Sequence, residues 1–160
     1  LDRILSNLII EGINDIFVNV HHLAEKVINS TIFPVKIIRE DVLLETAGAV
    51  RAYSKYFSDP FLVINGDTLY VGDFYFQGML EHHRKHKKLA TVFTKDSLTH
   101  NGGIFVFSKN ALNKIPPMEK PSIHKDWLPR LAGDVSLYRR GEYRDIGTWK
   151  KYIKNKLEYG

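Results

Sequence analysis

The sequence predicts an α/β fold: a mostly parallel, mixed sheet with helices on both faces, a three-layer sandwich. Short runs rich in Val, Ile and Phe alternate with stretches of helical period, and few-residue connectors join them, which is the order that builds βαβ units. A length of 160 residues with 44% hydrophobic content supports one core, and no low-complexity stretch divides it, so residues 1–160 are expected to form a single domain.

Leu1, Ile4, Leu5, Leu8 and Ile9 repeat at helical spacing, so residues 1–11 read as a helix closed by Gly12. Residues 16–20 read as a buried strand, 22–29 as a second helix and 35–39 as a strand. After Asp41, residues 42–50 form a loop entering a helix that runs to about Phe57, and the apolar quartet 61–64 is the next strand. Residues 74–87 are helical, and 89–94 and 103–108 are strands close enough in sequence to be antiparallel neighbours. Pro116 and Pro117 break the chain, and Ser122 caps a helix through Trp127 to Leu131 with Asp126 and Arg130 on its polar side. Residues 135–139 alternate like an exposed strand, and 143–146 are expected to complete a hairpin around Gly141. A last helix starts after Gly147 or Thr148 and carries Lys150, Lys151, Lys154 and Lys156.

No Cys is present, which excludes a disulfide framework and thiolate chemistry, and no apolar run approaches the length of a membrane span. A reducing, cytoplasmic setting fits this composition. The net charge of +5 favours anionic partners, whether nucleotides, sugar phosphates, nucleic acid or an acidic surface. Leu1 opens directly into a helical pattern with no capping residue before it, so the chain is expected to begin inside a larger protein.

Phe61, Leu62, Val63 and Ile64 read as a fully buried strand followed by Asn65, Gly66, Asp67 and Thr68 at its carboxyl end, where open α/β sheets bind ligands. Gly66 permits close approach of backbone and ligand, and Asp67 offers hard oxygen to Mg²⁺. Taken alone, Asn-Gly-Asp reads as a turn, and an Asp before Ile-Gly, as at Asp145, as a turn or helix cap. Thr46-Ala47-Gly48 by itself is an ordinary helix entry with exposed N–H groups.

Four ordered segments change this reading: Leu-Glu-Thr-Ala-Gly-Ala at 44–49, Val-Ile-Asn-Gly-Asp-Thr at 63–68, Asn-Gly-Gly-Ile-Phe at 101–105 and Arg-Asp-Ile-Gly-Thr-Trp at 144–149. Together they resemble the sugar-1-phosphate nucleotidyltransferases, over essentially the whole chain. Glu45, where many members carry glycine, is most similar to the branch holding N-acetylmuramate 1-phosphate uridylyltransferases and mannose or heptose 1-phosphate guanylyltransferases. The resemblance implies a Rossmann-like fold and attack of a sugar phosphate oxygen on the α-phosphorus of a nucleoside triphosphate, with pyrophosphate leaving. It implies that Asp67 and Asp145 are catalytic and jointly hold Mg²⁺ as the cofactor, and that Thr46, Ala47 and Gly48, with Asn65 and Gly66, bind the nucleotide. Asn101 is then expected to hydrogen-bond sugar hydroxyls, with Gly102 and Gly103 letting the sugar lie against the backbone. The implied partners are a nucleoside triphosphate and a sugar 1-phosphate, with no nucleic acid and no membrane span. A homo-oligomer through the Trp149 and Tyr152 side of the last helix is a further expectation.

Two departures from the family pattern stand out. The amino-terminal glycine-rich loop with its arginine is absent, which implies that a strand-loop-helix unit of about 30 residues is missing and that this chain is a truncated portion. The stretch between Asp67 and Asn101 is short, and Glu119-Lys120-Pro121, spelled like a family motif but placed after the Asn-Gly-Gly strand, reads as a coincidental surface loop.

His82, His83 and His86 share a helix with Arg84, Lys85, Lys87 and Lys88 and read as a solvated basic face rather than a metal site. Phe74, Tyr75 and Phe76 before it are expected in the core. Two other readings of the whole are a catalytically inactive relative that binds nucleotide sugar and a basic module that binds nucleic acid or a membrane surface.

Overall fold

In the computed structural model, residues 1–72, 74–98 and 101–159 are described. The chain divides into two compact units, residues 1–56 with 112–130 and residues 57–111 with 131–160.

The first unit opens with α1 (Asp2–Ile10), whose Ile4, Leu5 and Leu8 are buried, and Gly12 stops it at φ +79°, where its N–H donates to Ile9 O at 2.9 Å. β1 (Phe17–Val20) pairs in parallel with β2 (Lys36–Arg39), and α2 (Ala24–Ser30) connects them as a βαβ crossover requires. Glu40 follows β2 and is 5% exposed. Its carboxylate accepts from Asn19 Nδ2 at 2.8 Å and from the Leu44 N–H at 3.1 Å, so a buried acid fixes the loop that leads into α3 (Thr46–Tyr53). A 3₁₀ turn, Ser54–Tyr56, ends α3 short of the sequence expectation. Residues 112–130 return with Trp127 fully buried. Ser122 caps as predicted, its Oγ accepting the Lys125 N–H at 3.4 Å, but the helix it starts is a π-helical turn, Ile123–Trp127, followed by 3₁₀ geometry.

The second unit is built on a four-stranded sheet in the order β3-β6-β5-β7. Its strands are β3 (Phe61–Ile64), β5 (Ala90–Thr94), β6 (Asn101–Phe107) and β7 (Val135–Tyr138). β6 runs antiparallel to both β3 and β5, and only β5 and β7 are parallel. The fold is thus mixed α/β with small sheets, and the mostly parallel sheet expected from sequence is not what the strands form. β6 is central, with Phe105, Val106 and Phe107 paired to both β3 and β5, and six of its seven residues are buried. β3 lies at the edge of this sheet, which is why Phe61 alone of its four residues is buried.

β4 (Thr68–Val71) and β8 (Glu142–Asp145) form a separate antiparallel pair. The hairpin expected around Gly141 does not form, because β7 is claimed by β5 and β8 by β4. β7 is half-buried in alternation rather than exposed. α4 (Phe76–His86) packs Phe76, Met79, Leu80 and His83 inward. His83 is 3% exposed, not part of a solvated face; its Nδ1 lies 2.9 Å from Thr91 Oγ1 and its Nε2 2.9 Å from Ser108 Oγ. Thr91 in turn bonds Ser136 Oγ at 2.7 Å, so the buried polar thread is satisfied. Arg84, Lys85, His86 and Lys87 are the exposed basic residues of that helix. Phe76 is in the core and Phe74 joins an aromatic cluster with Tyr70, Phe93 and Tyr138, whereas Tyr75 is 59% exposed, since its place before the first turn of α4 points it away. α5 (Trp149–Tyr159) closes the chain, with Trp149 stacked on Tyr152 and both exposed. No described helix is long and apolar enough to cross a membrane.

Candidate active site

Asn65-Gly66-Asp67 is a turn, and it is also the device that sets an acid beside a second one. β3 stops at Ile64, the turn follows, and β4 begins at Thr68, which sits opposite Asp145 in the β4–β8 register. The Ile146 N–H donates to Asp67 O at 3.0 Å and continues that ladder, so Asp67 and Asp145 emerge side by side at one end of the pair.

Their side chains converge on Gly147. A Cβ on that glycine would stand 2.6 Å from Asp67 Oδ2 and 3.3 Å from Asp145 Oδ1, so its missing side chain opens a cradle lined by two carboxylates. Asp145 Oδ1 accepts the Gly147 N–H at 2.8 Å, and Oδ2 accepts from Lys151 Nζ, with both side chains about half exposed. The Lys151 hydrogen bond, with the Gly147 N–H second, holds the Asp145 carboxyl below the usual carboxylate range. This cradle fits a hard divalent ion: it offers two anionic oxygens and open surface for water and phosphate oxygens. Among the described residues no group of three or more His, Cys, Asp or Glu side chains gathers to hold a metal, so the cradle offers its two carboxylates alone.

The other residues singled out from sequence divide between this cradle and local architecture. A Cβ at Gly66 would meet nothing within 4 Å, so the space beside that backbone is open. Asn65 donates its N–H to Gly103 O at 2.8 Å and places its side chain under Gly103, which has φ +67° and would put a Cβ 2.7 Å from Asn65 Nδ2. Gly102 is packed by aromatic rings, since its Cβ would lie 2.5 Å from Phe93 and 2.9 Å from Tyr143. The Asn101 side chain braces the same bend, accepting the Gly103 N–H at 3.0 Å and donating to Leu98 O at 2.6 Å. Both glycines are therefore required first by this chain's own packing. Tyr70 ties the two segments, with its hydroxyl 3.4 Å from Asn65 O and from Gly102 O, and burial raises its pKa.

Thr46, Ala47 and Gly48 lie in the first unit at the start of α3, and their polar groups are engaged. Ala47 and Gly48 both donate their N–H to Pro121 O, at 3.0 and 3.1 Å, and Thr46 Oγ1 accepts the Ile123 N–H at 2.9 Å. Pro121 Cδ would lie 3.3 Å from a Cβ at Gly48. The expectation that these amides stand free to meet a base is corrected: the segment 119–123 caps them. Pro121 is buried, so the Glu119-Lys120-Pro121 stretch is not simply a surface loop. Before them, Glu45 holds φ +61° and ψ 171°, a region natural to glycine.

Sequence reasoning missed Lys151 and Glu40. Lys151 had been visible only as one of several lysines in the last helix, while Glu40 lay at the end of a strand with no motif around it.

No protein-family model matches the sequence. Among curated proteins, the chain is 28% identical to a Sulfolobus acidocaldarius protein named "Putative mannose-1-phosphate guanyltransferase", across 99% of this chain and 54% of that protein. It thus spans about half the length of the relative it matches. Among solved structures, HddC from Yersinia pseudotuberculosis superimposes with a TM-score of 0.81 at 21% identity, covering 99% of this chain and 84% of that one. HddC complexed with GMP-PN matches equally well. The chain is similar to the sugar-1-phosphate nucleotidyltransferases. A "Putative Glucose-1-Phosphate Thymidylyltransferase" from Bacillus anthracis also matches, with a TM-score of 0.77 at 16% identity over 96% of this chain and 79% of its own. At such identities the structural likeness is one of fold. The alignment to the Sulfolobus relative runs over 197 positions, more than the 160 residues of this chain, so gaps open within it.

Proposed function

We propose that this chain transfers a nucleotidyl group from a nucleoside triphosphate to a sugar 1-phosphate, giving a nucleoside diphosphate sugar and pyrophosphate with Mg²⁺ as cofactor. The observation that carries the reading is the convergence of Asp67 and Asp145 over Gly147. Mg²⁺, when bound, supplies charge neutralisation and a template for phosphate oxygens. Asp67 and Asp145 would hold it, the antiparallel β4–β8 pair fixes their spacing, and Gly147 leaves the room. The open backbone at Gly66 lets a phosphate or ribose approach the two acids.

A guanine nucleotide is favoured over a uridine nucleotide. The named function of the Sulfolobus relative and the GMP-PN complex of HddC support that choice. A second reading, a relative that binds nucleotide sugar without turnover, draws on the Ala47 and Gly48 amides that Pro121 already occupies.

The test is pyrophosphate release from a panel of triphosphates with hexose and heptose 1-phosphates. Turnover is expected with GTP and one of the sugar phosphates, and Asp67→Ala and Asp145→Ala should each abolish it. Undiminished turnover in either variant defeats the assignment of the acids, and binding of a nucleotide sugar with no turnover of any pair selects the second reading.

A further inference from the structure

Two carboxylates brought to one point repel each other, so their arrangement before a cation arrives needs a counter-charge. Lys151 supplies it. Thr148 organises the first turn of α5: its carbonyl accepts the Tyr152 N–H at 2.8 Å and its Oγ1 the Lys151 N–H at 3.3 Å. That turn delivers the Lys151 ammonium to Asp145 Oδ2 while the Gly147 N–H keeps Oδ1. A lysine this early in a helix opposes the helix dipole, so its place is not explained by the stability of α5. The ion pair is also half exposed on both sides, the kind that is worth little and yields readily.

We propose that Lys151 is a positioning residue that occupies Asp145 in the empty cradle and competes with the divalent ion for it, so that it sets the metal affinity of the site. The inference rests on the metal reading of Asp67 and Asp145. An ammonium cannot stay on the oxygen that a divalent ion takes without strong repulsion, so binding of the ion must expel Lys151. The pair therefore holds Asp145 in place, ready to bind, and weakens binding by what it costs to break.

Mn²⁺ alone is the probe, read as the free-ion signal by electron paramagnetic resonance on the folded chain. Lys151→Gln should bind Mn²⁺ about fivefold more tightly than wild type, the scale of a half-exposed ion pair. Lys151→Arg restores the cation and should return the affinity to the wild-type value or weaker, whereas a lysine that only supported α5 would leave both variants weaker. Unchanged or weaker binding in Lys151→Gln, with Mn²⁺ still held by wild type and lost in Asp67→Asn, overturns the competition and leaves the metal site intact. Absence of Mn²⁺ binding in wild type and Lys151→Gln alike overturns the metal reading and this inference with it.

Discussion

Glu45→Gly should make the first unit more stable, which is unusual for a change that deletes a whole side chain. Glu45 sits at φ +61° and ψ 171°, a conformation that glycine enters freely and a side-chain-bearing residue enters at a cost of about 1–3 kcal/mol. It makes no side-chain cap bond to α3 and is exposed, so little is lost with the carboxylate. Against the relieved strain stands the greater freedom of glycine in the unfolded chain, about 0.5–1 kcal/mol. The net gain is about 1 kcal/mol at the middle of these ranges, or roughly 2–4 °C in the midpoint of a chain this size. Glu45→Ala separates the causes, since it removes the carboxylate but keeps the strained backbone, and it should leave stability within about 0.5 kcal/mol of wild type. The chain has two tryptophans, of which Trp127 is fully buried in the same unit and Trp149 is 75% exposed in the other. Urea titrations followed by Trp127 fluorescence in a Trp149→Phe background read the right unit. Glu45→Gly no more stable than Glu45→Ala would refute the strain argument.

Gly147→Ala should lower Mn²⁺ affinity and turnover at least about tenfold while stability changes by less than about 1 kcal/mol, because its Cβ meets the rotatable ends of two carboxylates and no backbone. Wild-type affinity in that variant, measured beside its urea midpoint, counts against the cradle. His83 is buried, and burial pushes its pKa below the ordinary value, so the folded chain refuses a proton that the unfolded chain accepts below about pH 6.5. Stability should therefore fall as pH drops from 7.5 to 5.5, at up to about 1.4 kcal/mol per pH unit from this group. His82 and His124 shift the same way, and His83→Gln should remove one proton's share of the slope; an identical slope in His83→Gln would show that His83 titrates normally.

What the sequence made legible was local, and what it hid was pairing. β3 is found at its predicted bounds because four apolar residues stand between Pro60 and Asn65, and Gly12 stops α1 where a left-handed residue was foreseen. β4 was passed over because Thr68–Val71 follows a turn signal, and only its distant partner β8 reveals it. The false hairpin has the same origin: β7 and β8 flank a glycine, yet each is drawn to a strand more than 40 residues away. His83 was legible and misread, since Phe76, Met79, Leu80 and His83 lie at i, i+3, i+4 and i+7, which assigns it to the buried face of α4. The acids at 67 and 145 came from ordered motifs, while the Gly147 cradle between them depends on the β4–β8 register, which neither motif reveals. Capping of α3 by Pro121, 73 positions beyond Gly48, leaves no periodic trace in either segment.

On the function proposed, Asp67 and Asp145 make one cation site over Gly147. A crystal of the protein soaked in Mn²⁺ and measured at the manganese edge tests it most directly. One anomalous peak is expected within bonding distance of both carboxylates, with Lys151 displaced from Asp145. A saturating soak that leaves the cradle without a peak and Lys151 still on Asp145 would contradict it.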